Sequence, residues 1–145
     1  MQNIERFNVR VYGILVENEQ LLIVDEHYKN REITKFPGGG MNPGEGTIDC
    51  LQREIKEELH MKVEVVEHYY TTDFFQQSAF REDEQILSIY YIIRRMHPEQ
   101  PINHNWQEVA NGHKIKFRWI AIKNLDQEMF TFPIDKRVIG LIETR

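Results

Sequence analysis

The chain has 145 residues, of which 41% are hydrophobic and 28% are charged. This length and composition are typical of one globular domain with its own core, and they exclude an intrinsically disordered chain. The net charge of −5 is opposite in sign to that of a general nucleic-acid binder, and the single cysteine excludes an internal disulfide and a zinc site made of three or four cysteines.

The N-terminus and the apolar runs bear on targeting and membrane insertion. Residues 1–10 mix polar and charged side chains and lack the apolar segment of a signal peptide. The longest apolar run, residues 86–93, is too short to cross a bilayer. A single cysteine favours a reducing compartment. We therefore expect one domain over residues 1–145, cytoplasmic and without membrane contact.

The first third of the chain predicts two strands and then an irregular loop. Residues 8–16 and 21–24 are apolar and β-branched, with a polar break between them, which is typical of two strands joined by a short turn. A polar connection over residues 25–35 follows. Residues 36–46 are so rich in glycine and proline that we expect neither helix nor strand there.

A helix is predicted next, over residues 47–59. Its apolar residues recur at helical spacing, with Thr47 as a plausible N-cap, and the stripe comprises Ile48, Leu51, Ile55 and Leu59. Cys50 lies close to the apolar arc and is interpreted as a small core residue rather than a nucleophile.

The rest of the chain predicts three strands and a final helix. The strands are expected over residues 63–70, 86–93 and 114–122. Pro133 begins a short helix with Asp135 in its first turn. The order β-β-loop-α-β-β-β-α predicts a mixed α+β or α/β sandwich.

Charged side chains share one face of the first predicted helix. At about 100° per residue, Arg53 and three glutamates fall on one arc beside the apolar stripe: Glu54, Glu57 and Glu58. Crowded carboxylates repel each other, and a divalent cation would relieve that repulsion. Oxygen donors favour Mg²⁺ or Mn²⁺ over zinc. The alternative interpretation is a solvated acidic face.

The spacing of these residues is distinctive. It reads Gly39-x5-Glu45-x7-Arg53-Glu54-Ile55-x-Glu57-Glu58-x-His60-Met61. This pattern resembles the Nudix box, G-x5-E-x7-R-E-U-x-E-E-x-G-U, in which U is aliphatic. One position departs, because His60 stands where the family has a glycine that ends the helix. Histidine tolerates a left-handed conformation at a cost of about 1 kcal/mol.

The resemblance implies a Nudix fold, a mixed β-sheet sandwiched between α-helices, and a divalent-metal-dependent hydrolase. Such enzymes cleave a nucleoside diphosphate linked to another moiety. By residue-to-residue matching, Glu57 and Glu58 are expected to ligate the metal, Glu54 to ligate it or to orient water, and Arg53 to hold the glutamates. The remaining box and loop candidates are Gly38, whose carbonyl would bind metal, Gly39 and Gly40, which would let a phosphate approach, and Glu45, which would brace the loop or take part in catalysis.

Further site candidates lie outside the box. Many family members carry another acid on a distant loop as metal ligand or general base, for which Glu84 is favoured here over Glu82 and Asp83. Asp135 would hydrogen-bond the edge of a nucleotide base, as in the nucleoside triphosphate branch of the family. Alternatively, it is an aspartate that the helix dipole favours at a helix N-terminus, with no contact to substrate. Among Phe74, Phe75 and Phe80, core packing is expected for at least two, and Phe80 is the candidate for stacking on a base.

We therefore predict a Mg²⁺- or Mn²⁺-dependent Nudix pyrophosphohydrolase acting on a small nucleotide-type substrate, with a nucleoside triphosphate as one candidate. Specific nucleic-acid binding is not expected, and a homodimer is the default assembly. One alternative is a sensing module that binds a nucleotide-linked metabolite without turnover. Another is an isomerase on the same scaffold, although Cys50 is poorly placed for that chemistry.

Overall fold

The computed structural model describes residues 3–143, so residues 1, 2, 144 and 145 of the predicted domain lie outside the described part. Within it, the strands are β1 (Arg6–Glu17), β2 (Gln20–Tyr28), β3 (Arg31–Lys35), β4 (Gly38–Gly40), β5 (Val63–Thr71), β6 (Glu84–Arg95), β7 (Gln107–Ala110) and β8 (His113–Ala121). The helices are α1 (Thr47–Leu59) and α2 (Pro133–Glu143), and 3-10 turns lie at Ile122–Asn124 and Gln127–Met129.

The strands form one mixed sheet in the order β5-β6-β1-β2-β8-β7, with β3 paired to β2 and β4 paired to β1. Strand β1 runs parallel to β6 and antiparallel to β4. It pairs with β2 only at their shared hairpin end, where Val16 faces Leu21. The two halves of the sheet are therefore joined at one corner and diverge from it, and the opening between them lies beside β4.

Alternation along the strands divides the core into two layers. Val11 and Leu15 of β1 pack with α1, whereas Tyr12 and Ile14 face α2. Because successive residues of a strand point to opposite faces of the sheet, the single strand β1 contributes side chains to both layers. The sheet is thus sandwiched between α1 and α2, and the predicted fold class is confirmed.

Several predicted connections are strands. The polar segment 25–35 continues β2 and forms β3, with a tight turn at Lys29 and Asn30, whose φ angles are 51° and 60°. Gly38–Gly40 forms β4 against Arg10–Tyr12, so the prediction of no strand in the glycine-rich segment is wrong. Both elements are specified by a neighbouring strand rather than by their own side chains.

Helix α1 has the predicted bounds but different details at its start. Gly46 is the N-cap, and the Thr47 hydroxyl instead lies 2.7 Å from the Tyr91 hydroxyl. Ile48 is 44% exposed, and Cys50 is fully buried in its place, as predicted for a small core residue. His60 ends the helix in the left-handed region at φ 57°, which confirms the conformation expected there.

Helix α2 begins at Pro133 as predicted, and it buries Val138 and Ile139. No helix within residues 3–143 is long and apolar enough to cross a membrane.

Candidate active site

The glycine-rich segment passes between β1 and α1 with almost no free space. A Cβ atom at Gly38, whose φ is 142°, would lie 2.1 Å from the Val11 carbonyl oxygen. A Cβ atom at Gly39 would lie 2.5 Å from Cδ of Glu54. Since a Cβ at Gly39 would overlap the end of the Glu54 side chain, the Gly39 backbone lies directly against the Glu54 carboxylate.

Arg53 ties this segment to the helix. Its guanidinium donates from Nε and Nη2 to the Glu45 carboxylate at 3.0 and 2.7 Å, and from Nη2 to the Gly40 carbonyl at 2.9 Å. Nη1 donates to Glu54 at 3.0 Å and to Glu57 at 3.3 Å. Hydrogen bonds from Arg53 lower the pKa of Glu45 to about 2. A planar fork with several donors can make these contacts at once, and a lysine cannot.

The box carboxylates are crowded and differ in exposure. The Glu57 side chain is 58% exposed, whereas that of Glu54 is 15% exposed. Burial raises the pKa of Glu58 to about 8, with Lys35 opposing the rise and the Glu54 carboxylate adding to it. In residues 3–143, no three His, Cys, Asp or Glu side chains converge on a common metal position. The donor set nevertheless fits a hard divalent cation, because it consists of carboxylate oxygens that repel one another without one.

A cavity of about 710 Å³ opens between the two halves of the sheet, and Arg10, which lines it, pairs with Gly40 of the glycine-rich segment. This volume is within the range of small-molecule sites, about 300–1,000 Å³. Its walls come from β1, β2, β3, β6, the loop before β6 and the start of α2. Its lining includes both charged and aromatic side chains: Arg10, Tyr12, Glu26, Tyr28, Lys35, Phe80, Glu84, Tyr90, His113, Phe132 and Asp135.

Asp135 lies in the wall of this cavity and is only 2% exposed. Burial raises the pKa of Asp135 to about 7, although the hydrogen bond from the Tyr90 hydroxyl, at 2.5 Å, opposes the rise. The carboxyl group therefore exchanges its proton near neutral pH. Its predicted contact with a base edge stays a prediction, but its position in the cavity is compatible with it.

Glu84 also lines the cavity, at some distance from the box. It is 6% exposed, and its carboxylate lies 3.3 Å from Arg6 Nε and accepts a hydrogen bond from Asn8 at 3.4 Å. In the strand register Glu84 faces Arg6, whereas Gly39 faces Val11, about 16 Å further along β1. A metal shared by Glu84 and Glu54 would require the two carboxylates to approach each other, so this role stays a prediction. Glu82 is exposed on the loop before β6.

The three phenylalanines before β6 are all exposed, so the expected core packing of at least two of them is wrong. Phe74, Phe75 and Phe80 are 41%, 59% and 40% exposed. Phe80 lies at the cavity mouth, with its ring centroid 5.5 Å from that of Tyr28 and 6.5 Å from that of Phe132. Its predicted role in stacking on a base remains open to test.

The sequence analysis did not predict a cluster of charged and polar side chains at the inner wall of the cavity. Lys35 is 6% exposed and lies 3.4 Å from Glu26, which also contacts His113 Nε2 at 2.7 Å. Arg10 donates from Nε to the Tyr12 hydroxyl at 2.6 Å. These residues lie on β1, β2, β3 and β8. The one signal available in the sequence was the pair of charged residues within the apolar strand segments, Arg10 before residues 11–16 and Lys35 before Phe36.

Comparisons with known proteins agree with the box and the fold. The NUDIX domain profile matches residues 6–139. The chain is 30% identical over 133 residues to the mouse (Mus musculus) protein "Nucleoside diphosphate-linked moiety X motif 6"; the match covers 88% of this chain and spans 38% of the relative's length.

Solved structures give the same fold. A Nudix hydrolase from Nitrosomonas europaea superposes with a TM-score of 0.70 at 18% identity, covering 92% of this chain and 86% of that one. A MutT protein from Methanosarcina mazei Go1 superposes with a TM-score of 0.71 at 15% identity, covering 97% and 95% of the two chains. At these identities the structural likeness shows the fold alone.

Proposed function

Because this chain belongs to the Nudix family, we propose that it hydrolyses a phosphoanhydride in a nucleoside diphosphate linked to another moiety, with Mg²⁺ or Mn²⁺ as its cofactor. The observation that carries the proposal is the complete set of box contacts beside the cavity. Arg53 binds Glu45, Glu54 and Glu57 together, and Glu54 lies against Gly39. A Nudix scaffold that only sensed a metabolite would have no need of this full set of carboxylates.

The residues divide into metal-binding and positioning groups. Glu57, Glu58 and the Gly38 carbonyl would hold the metal, and Glu54 would ligate it or orient the attacking water. The bound metal would neutralise phosphate charge and lower the pKa of a coordinated water. Arg53 holds the glutamates in place, and Glu45 braces the loop through it. Glu84 is the candidate for a further acid at the other end of the cavity.

The finer part of the proposal concerns the substrate. A nucleoside triphosphate would place its base in the cavity, where Asp135 offers a carboxyl edge and Phe80 a ring face. Gly39 and Gly40 would let the phosphates approach the loop backbone closely. We expect a small-molecule substrate rather than a nucleic acid, and a homodimer that light scattering would detect.

The test is a hydrolysis screen. The protein is incubated with Mg²⁺ or Mn²⁺ and nucleoside triphosphates, oxidised dGTP, ADP-ribose, nucleotide sugars and dinucleoside polyphosphates. We expect turnover of at least one compound, abolished by EDTA. Glu57→Gln should reduce kcat about 100-fold or more, because it removes a charged group that stabilises the transition state through the metal.

The matched control is Glu67→Gln, which changes an exposed glutamate of β5 in the same way and should leave turnover unchanged. Activity retained in Glu57→Gln would refute the box as the active site. An inactive wild-type protein that still binds nucleotides would instead favour the sensing module. Turnover of an allylic diphosphate without phosphate release would favour the isomerase.

A further inference from the structure

Two cations lie where the cavity meets the box. Arg10 is in β1 opposite Gly40, and its Nη1 lies 3.4 Å from the position of a Cβ at Gly40. Lys35, at the end of β3, is buried in the same wall. Both approach Tyr12, since Arg10 Nε donates to its hydroxyl at 2.6 Å and Lys35 Nζ lies 5.9 Å from its ring centroid. The two positive charges therefore share one small region of the cavity wall.

Arg10 has unused hydrogen-bond donors. A guanidinium carries five N–H groups, and the described contacts use only the one on Nε. Its two terminal nitrogens have no hydrogen-bond acceptor within residues 3–143, although the side chain is half-buried and lines the cavity. Arg53 differs in this respect, because its donors are engaged by Glu45, Glu54 and Gly40. Arg10 is therefore available to an anion in the cavity and Arg53 is not.

Lys35 adds a second positive charge to this region, and Glu26 partly neutralises it. Its only ion pair in the described structure is with Glu26 at 3.4 Å, and Glu26 is shared with His113. The carboxylates that act on the two cations are Glu26, Glu54 and Glu58, so the free donors of Arg10, and not an excess of positive charge, make the region suited to an anion. Buried cations attract an anion more strongly than surface cations do, because the local dielectric is low.

The cations at the cavity mouth are engaged with aromatic rings instead. The Arg31 guanidinium lies 5.0 Å from the centroid of Phe80, and Lys29 Nζ lies 5.2 Å from that of Tyr28. Both side chains are exposed, so water and salt weaken their attraction for a phosphate.

We propose that Arg10 and Lys35 form a phosphate subsite that binds the phosphate joining the anhydride to the cavity-bound part of the substrate. Arg10 supplies a two-pronged contact to the phosphate oxygens, and Lys35 supplies a point charge beside it. The proposal rests on the proposed function. It also defines the direction of the substrate, with its cavity-bound group toward Asp135 and its other phosphate toward the box glutamates.

The test uses inorganic pyrophosphate as the probe, with EDTA present so that no metal holds it. Isothermal titration calorimetry should show binding to the wild-type protein and a Kd about 10-fold higher or more in Arg10→Gln, since one charge-assisted contact is worth at least that factor. Arg10→Lys should lie between the two, because it keeps the charge and loses the fork. Arg94→Gln, an exposed arginine of β6 paired with Glu64, is the matched control and should bind as wild type does.

Lys35→Gln removes the buried partner of Glu26 and could unfold the protein, so thermal melts accompany each variant and Arg10→Gln carries the test. Absence of pyrophosphate binding by the wild type, or unchanged binding in a folded Arg10→Gln, would overturn the proposal. A larger loss in Arg31→Gln than in Arg10→Gln would also overturn it, by moving the phosphate to the mouth. Because no hydrolysis is measured, these outcomes are separate from failure of the proposed function.

Discussion

Gly39 and the carboxylate of Glu54 pack closely against each other in the candidate site. The space that a Cβ at Gly39 would need is occupied by the end of the Glu54 side chain. That end can move, whereas the backbone atoms around Gly38 cannot. A methyl group at position 39 is therefore expected to displace the carboxylate and to leave the fold in place.

Gly39→Ala should reduce kcat at least about 10-fold, with little change in the unfolding midpoint, because a shift of about 1 Å in a catalytic group is costly. Steady-state kinetics and a thermal melt on the same sample measure the two effects. Gly46→Ala is the control, since a Cβ there meets only Asp49 Oδ2, at an ordinary 3.7 Å. Equal activities in the two alanine variants would show that the Glu54 position is unimportant.

Helix α1 carries the box. Its bounds are determined by local sequence, whereas the contacts of its first turn are determined by tertiary packing. Its bounds follow from the spacing of Leu51, Ile55 and Leu59, all of which are buried as predicted. Its first turn does not follow from the sequence, because the hydroxyl of Thr47 is used by Tyr91 on β6 and not by the helix. A cap is a local signal that a tertiary contact can override.

The C-terminus of α1 gives a stability prediction. His60 has φ 57° and its backbone N–H bonds to the Lys56 carbonyl, so a residue with a Cβ holds a glycine-type conformation. His60→Gly should stabilise the protein by up to about 1 kcal/mol, because relief of the steric cost exceeds the entropic cost of glycine. The unfolding midpoint in a thermal melt should then rise by about 3 °C.

His60→Ala is the matched variant. It should not raise the unfolding midpoint, since alanine keeps a Cβ in the same left-handed conformation. A lower unfolding midpoint for His60→Gly than for wild type would contradict the steric account.

Strands β3 and β4 lack the side-chain pattern that predicts a strand. Their sequences, Arg31–Lys35 and Gly38–Gly40, carry few apolar or β-branched side chains. They are strands because β2 and β1 offer backbone partners along an unpaired edge. Backbone pairing leaves no periodic trace in side chains, so the charged residue Lys35 could not be placed in the cavity from the sequence.

At the scale of the whole molecule, the fold buries one carboxyl group in the wall of the cavity, on the α2 side of the sheet. Asp135 of α2 and Tyr90 of β6 are 45 positions apart in sequence, and the Tyr90 hydroxyl donates a hydrogen bond to the Asp135 carboxyl group. Burial raises the pKa of Asp135 from its ordinary 3.8 to about 7. The folded protein therefore holds this proton over a pH range in which the unfolded chain has lost it.

The sign of the resulting pH dependence follows from linkage. The contribution of Asp135 to stability is full below about pH 4 and is lost as the pH rises to about 7, because only the unfolded chain gains from ionisation in that window. Asp135→Asn keeps an oxygen for the Tyr90 hydroxyl and removes the titration. Urea denaturation at pH 5 and pH 8 should show that the variant gains stability relative to wild type at the higher pH.

Other titrating groups are common to both proteins, so the change in the difference between them isolates Asp135. A difference that stays constant between pH 5 and pH 8 would contradict the prediction, because it would mean that the folded-state pKa of Asp135 is not raised.

The linear spacing of charged and apolar residues was sufficient to predict the family, the fold class and the position of the box on α1. Those features depend on residues within one helix turn or one loop of each other, where geometry follows from chain connectivity. The cavity depended on folding, since it joins Arg10, Lys35, Glu84 and Asp135 from four separate elements. Side chains that are distant in sequence meet only because the two halves of the sheet diverge from a shared corner, and no local pattern encodes that divergence.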